Sequence, residues 1–295
     1  MGYFEEKWAY YSRMRAHDDT SVSLNFTAAE DGCTVALNKI GGPAAISLEY
    51  SLDNQTWQTY NVDTEISLAR RGDKVFFKGD NTVFSSSSSN LYKFVLTGKL
   101  RANGNIMSLV DSSCMSKAIP NHEYFFNNLF RGCDSLLTAP LLPARTLRNR
   151  CYASMFHGCS SLLAMPILPS GSSSTYAYQR MFKDCTSLVG VCPLLCENPS
   201  YGGLYYEMFS GCTSLKESPV VRVRNQVSSL SNTFTNMFEG CSSLAKVTVN
   251  FTEWKNTSDW LSGVASEGVF VCPSELDTTT RSASRVPAGW TVVNV

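Results

Sequence analysis

Met155-Phe156-His157-Gly158-Cys159-Ser160-Ser161-Leu162 is one of five near-copies of a single phrase, and its recurrence decides the fold. The others are Leu129-Phe130-Arg131-Gly132-Cys133-Asp134-Ser135-Leu136, Met181-Phe182-Lys183-Asp184-Cys185-Thr186-Ser187-Leu188, Met208-Phe209-Ser210-Gly211-Cys212-Thr213-Ser214-Leu215 and Met237-Phe238-Glu239-Gly240-Cys241-Ser242-Ser243-Leu244. The cysteines step from 133 to 159 and from 159 to 185 (26 residues each), from 185 to 212 (27) and from 212 to 241 (29). A period of that size, with apolar positions fixed and others drifting, predicts a stacked solenoid. No unit of this kind can bury its apolar stripe except against its neighbours.

Each copy carries an aromatic residue three positions before the Met or Leu: Phe126, Tyr152, Tyr178, Tyr205 and Phe234. With the Met-Phe pair this gives the i, i+3, i+4 spacing of a short helix. Gly132, Gly158, Gly211 and Gly240 stand where such a helix would end in left-handed geometry, and Asp184 replaces glycine in the third copy. A strand is expected after the Leu. Period two then turns Ala139, Met165, Val191, Ser218 and Val247 inward, followed by Leu141, Ile167, Pro193, Val220 and Val249. The outward row reads Thr138, Ala164, Gly190, Glu217 and Lys246, with Pro140, Pro166, Cys192, Pro219 and Thr248 beside it. These are the candidate ligand-binding residues, on a flat surface that is small and apolar at one end and charged at the other. Arg145, Arg148, Arg150, Arg222 and Arg224 in the connections would add a basic rim, and Ser172 to Ser174 and Tyr201 to Gly203 are candidate contact loops.

Five of the eleven cysteines share one position of the repeat. Equivalent residues of neighbouring coils lie about 4.7–4.9 Å apart, whereas a disulfide prefers a Cβ separation of about 3.5–4.5 Å. The spacing therefore predicts a reduced column of buried thiols. Cys185, Cys192 and Cys196 fit no C-x2-C zinc pattern, and only His17, His122 and His157 exist to assist, so neither metal nor cofactor is expected.

Working outward from the repeats, the chain divides into four parts. Residues 1–20 are aromatic and charged without period, which suits either a helix packed on its own domain or a docking peptide. Residues 21–98 alternate in short runs (Val22 to Thr27, Thr34 to Leu37, Ile46 to Ser51, Trp57 to Tyr60, Glu65 to Leu68, Lys74 to Lys78, Tyr92 to Thr97) broken by turn signals, the pattern of a small β-sandwich. Ser85 to Ser89 reads as a mobile hairpin loop, and Ile106 to Val110 feeds the chain into the repeats. Residues 99–273 hold the five repeats and a partial one, and 274–295 a C-terminal cap strand around Trp290. The expected class is α+β, mainly β.

A formal charge of zero and only 17% charged residues argue against a nucleic-acid partner. No stretch is apolar enough for a membrane span, and Met1 to Trp8 lacks the apolar core of a signal peptide. There is no G-x-S-x-G, phosphate loop or H-E-x-x-H. His157 falls where other copies carry Arg131, Lys183, Ser210 and Glu239, so it is expected to face solvent. No enzyme is expected.

The phrase Met-Phe-x-Gly-Cys-x-Ser-Leu, followed by Pro140-Leu141-Leu142-Pro143-Ala144, resembles BspA-like leucine-rich repeats over about residues 120 to 273. The closing Pro287 to Val292 is similar to the segment often found behind such repeats. The resemblance implies a right-handed solenoid of strands and short helices with an adhesive role. Its ligand would be a protein or glycan on a cell surface, and the protein would act outside the cell. Similar arrays in phages of gut bacteria imply an alternative, a fibre or decoration component docked onto virion proteins by the N-terminal segment.

Overall fold

The computed structural model describes residues 20–168, 174–190, 202–221 and 231–295. The docking-peptide reading of residues 1–20 thus falls almost wholly outside the described residues. So do Ser172, Ser173, Val191, Cys192, Pro193, Cys196, Tyr201, Arg222 and Arg224.

The chain is mainly β. Before the repeats come β1 (Leu24–Ala28), β2 (Cys33–Ile40), β3 (Glu49–Ser51), β4 (Gln58–Thr59), β5 (Glu65–Leu68), β6 (Lys74–Lys78), β7 (Leu91–Thr97) and β8 (Leu100–Asn103). In the repeats and beyond lie β9 (Leu136–Thr138), β10 (Lys246–Thr248), β11 (Gly268–Cys272) and β12 (Trp290–Asn294). One sheet runs β5-β2-β7 and a second β4-β3-β6-β1-β8-β9. Their inner faces meet through Phe26 and Phe94, with ring centroids 4.8 Å apart, and through Phe77 and Phe94 at 5.6 Å.

Ile106–Leu109 is a 3-10 turn, capped by the Asn105 side chain, which accepts the Met107 N–H. The serine run lies in the loop between β6 and β7, but its first residue is anchored. Ser85 is fully buried; its N–H donates to Phe125 O and its hydroxyl accepts from Tyr92 N. Strand pairing continues past the boundary expected near residue 98. Strand β8 lies past it and pairs antiparallel with β1 on one side and parallel with β9 on the other. The two facing sheets and the repeats share one continuous apolar core.

The repeats contain turns where short helices were expected. Among the described residues the 3-10 turn is the only helical element. Along 124–133 the backbone amides alternate between two networks. Phe126, Asn128, Phe130 and Gly132 donate to Cys151, Ala153, Met155 and His157 of the next coil at 2.7–3.0 Å. Asn127, Leu129, Arg131 and Cys133 donate three residues back in their own coil. A helix commits every amide to its own axis; here every second amide is spent on the neighbour. The geometry requires a left-handed residue at every fourth position. Those residues are Tyr124, Asn128 and Gly132, then Arg150, Ser154 and Gly158, then Tyr176, Arg180 and Asp184.

Two aromatic columns run through the stack. Phe94, Phe130, Phe156, Phe182, Phe209 and Phe238 stack face to face at 5.2–5.7 Å with planes within 12°. Phe126, Tyr152, Tyr178, Tyr205 and Phe234 form the second at 6.0–6.2 Å. Each such pair contributes about 0.5–1.5 kcal/mol beyond the area it buries. The five repeat cysteines do share one column. Each thiol donates to the carbonyl of a Phe in the coil before it: Cys133 to Phe94, Cys159 to Phe130, Cys185 to Phe156, Cys212 to Phe182 and Cys241 to Phe209, at 3.0–3.3 Å. At the C-terminal end Trp260 closes the first ring column, tilted 56° against Phe238, and its indole N–H bonds Arg285 O. The Trp290 indole bonds Ala265 O at 2.8 Å, and β12 pairs parallel with β11.

Burial pushes the Cys133 and Cys241 thiols up to about 12, so at neutral pH neither presents a thiolate. Alkylation by iodoacetamide at neutral pH should therefore leave both unlabelled in the folded protein and label them at the unfolding transition. Rapid labelling of either in the native state would show that the column is open.

Candidate recognition surface

The repeat strands reduce in the middle coils to single bridges, yet they line up as one parallel row. Arg101 pairs with Thr138, Ala164 with Gly190, Glu217 with Lys246, Lys246 with Val269, and Val269 with Thr291. Leu163 N–H reaches Leu137 O, and Val189 and Gly190 N–H both reach Leu163 O, continuing the row between those pairs. Thr138, Ala164 and Gly190 are thus brought together in one group and Glu217 and Lys246 in another, each half-buried. Thr248 is half-buried beside Lys246.

Pro140, Pro166 and Pro219 do not join them. All three are buried, correcting the outward placement expected for them. Period two holds only while the chain stays extended, and here extension stops after one or two residues. Met165 and Pro166 are consequently buried in succession, and the next inward residues are Leu142, Leu168 and Val221 in place of Leu141, Ile167 and Val220. In β10, a regular strand, Val247 and Val249 point inward as expected.

Leu163 and Val189 are the residues the sequence reading missed. They are 52% and 58% exposed, side by side on adjacent coils. A Cβ on Gly190 would come within 3.0 Å of Ala164 Cβ, so the surface between the two coils is tightly closed. The position after each repeat Leu reads Leu137, Leu163, Val189, Lys216 and Ala245. Its change to Lys216 is the one sequence signal that it lies outside.

A second surface follows the turns. Arg150, expected in a loose connection, occupies a left-handed position in the stack. Its guanidinium lies over Tyr176 at 4.4 Å and Tyr124 at 5.6 Å and bonds the Tyr124 hydroxyl. The Tyr176 ring covers Gly203, where a Cβ would sit 2.0 Å from it, so no side chain fits there. Glu207 is buried and takes both Arg180 Nε and Nη2, at 3.0 and 2.9 Å, together with the Lys183 ammonium. Burial alone would raise its pKa, but the Arg180 and Lys183 hydrogen bonds outweigh that and hold the carboxyl at about 2.

His157 is half-buried rather than open to solvent, and its Nε2 lies 3.2 Å from Asp184 Oδ2. Burial first, then the positive fields of Arg131 and Lys183, push its pKa below the usual histidine value, despite Asp184. At neutral pH the contact is therefore a hydrogen bond from a neutral imidazole, not an ion pair. Of the remaining basic-rim residues, Arg145 is exposed, while Arg148 is half-buried with its Nε lacking a partner. No helix among the described residues is long and apolar enough to cross a membrane. No protein-family model, curated protein or solved structure matches the chain.

The Glu207 carboxyl falls on folding from the usual 4.5 to about 2, so its contribution is full above about 4.5 and is lost as pH drops toward 2. Glu207→Gln should lower stability by about 1.5–3 kcal/mol at neutral pH, in urea titration. The gap from the unsubstituted protein should close on acidification. An equal gap at about pH 7 and about pH 3 would contradict the pairing.

Proposed function

We propose that the stacked repeats form a leucine-rich-repeat-type solenoid, and that the protein is a non-enzymatic recognition module displayed outside a cell. Its ligand is a protein or a glycan, bound on the row of parallel bridges. The observation that carries this reading is the exposed pair Leu163 and Val189, contiguous with the small Ala164–Gly190 bridge and bordered by the Glu217–Lys246 bridge of opposite charges. An apolar centre beside a charged margin is the usual anatomy of a contact surface. The flat sheet supplies area, and the aromatic columns beneath hold it rigid, so little ordering entropy is lost on binding. The resemblance of the repeats to those of adhesive surface antigens supports the same assignment.

The surface can be altered without touching the core. Leu163→Asp with Val189→Asp, and separately Glu217→Arg with Lys246→Glu, should each weaken binding on protein and glycan arrays by about tenfold or more. Both double variants should melt within a few degrees of the parent, because Leu163 and Val189 are exposed and the second swap keeps opposite charges across the half-buried 217–246 bridge. Unaltered binding by both, with melting preserved, would discard the sheet face.

A further inference from the structure

We propose that the turn side of the first coils is a separate binding site for an acidic polysaccharide, one bearing carboxylate or sulfate groups, with Lys93 and Arg131 as its anchoring cations. The chain as a whole carries no net charge, yet its cations are unevenly placed. Lys93, Arg131, Arg150, Arg180 and Lys183 gather on this side of the first three coils, against Asp134, Asp184 and Glu207. Arg180 and Lys183 are consumed by Glu207, and Arg150 is occupied by tyrosines. Lys93 and Arg131 have no ion-pair partner among the described residues. Two unneutralised cations at one place on a neutral molecule form a local positive field, and a negative ligand is its complement.

The local shape favours a thin chain. Gly132 and Gly158 stack directly, so that a Cβ on Gly158 would lie 3.6 Å from Gly132 Cα, and the Lys93 ammonium is 3.6 Å from where a Gly132 Cβ would be. Side chains are missing along this line while cations flank it, leaving a shallow floor. Asp184 ends the floor by standing in the glycine column and lying over Gly211, with its carboxylate 2.2 Å from where a Cβ there would be. Nucleic acid would require a longer basic excess than two free cations provide.

His157 adds a dependence on pH. It stands between Arg131 of the preceding coil and Lys183 and Asp184 of the following one, at the margin of the floor. Acidification charges it, turns its contact with Asp184 into an ion pair, and cancels one of the carboxylates, Asp184 beside Asp134, that border the cations. Polyanion binding is then stronger in acid than at neutral pH.

The test uses the full chain and four probes: heparin, polygalacturonate, uncharged dextran and a single-stranded oligonucleotide. Each is titrated at low salt at about pH 7.5 and about pH 5, on either side of the histidine range. Heparin or polygalacturonate should bind and dextran should not; the sulfated and carboxylated probes together show which anion is preferred. Arg131→Glu and Lys93→Glu should each weaken binding by about tenfold or more, while Arg71→Glu, in a remote turn, should not. His157→Gln should abolish the gain in acid. Arg131→Ala, at an exposed position, keeps the test valid if a charge reversal fails to fold. Binding of neither acidic polysaccharide, equal loss in the Arg71 control, or full binding by Arg131→Ala would overturn the proposal. Preference for the oligonucleotide would replace it with a nucleic-acid site.

Discussion

Everything in this molecule depends on how the repeat turns divide their backbone amides. Half of the donors close turns within a coil, and the other half reach the next coil. That division holds neighbouring coils at hydrogen-bonding distance. The distance places each Phe over the next with nearly parallel planes and each thiol within reach of a carbonyl in the coil before it. The side chains therefore do not choose their stacking individually; the backbone imposes it. The cost appears in dihedral space, where bulky residues such as Tyr124, Arg150, Tyr176 and Arg180 hold left-handed conformations that disfavour them by about 1–2 kcal/mol each. Ring stacking and ion pairing across the coils offset that strain.

The two facing sheets at the N-terminus extend the same construction. Phe94 on β7 is a member of the Phe column, its carbonyl accepts the first thiol, and its amide donates to Leu129 O. Strand β8 supplies the first rung of the parallel row. The first coil thus meets a partner already shaped like a coil, which is what a stack needs to avoid an exposed core. Two tryptophans and a phenylalanine do the equivalent service at the other end, where Trp254, Trp260 and Phe270 pack against one another.

The repeat period, the thiol column and the strands β1 to β7 were legible in the sequence, because each follows from periodicity or from turn residues that act locally. The helix was misread because Phe126, Leu129 and Phe130 have the same i, i+3, i+4 spacing whether they line a helix or a chain of turns. The distinguishing signal was present: Asn232, Asn236 and Gly240 recur every four residues, and all three tolerate left-handed geometry that a helix interior forbids. Alternation failed at Pro140, Pro166 and Pro219 because bridges of one or two residues do not sustain a pleat. The exposure of Leu163 and Val189 was legible only through Lys216 at the equivalent position of the fourth copy. An apolar residue next to a core leucine reads as core unless the path of the chain is known.

Among the described residues each coil bonds the one before and the one after, so disruption is passed along the stack from neighbour to neighbour. The Tyr176 ring seated on Gly203 and the Asp184 carboxylate over Gly211 both bridge the third coil to the fourth. The first of these contacts matches one particular coil to one particular successor, since among the equivalent positions Tyr124, Arg150, Tyr176, Gly203 and Asn232 only Gly203 lacks a side chain that would collide. A stack of otherwise similar units thereby acquires a fixed order, and slippage by a whole coil is prevented at its centre.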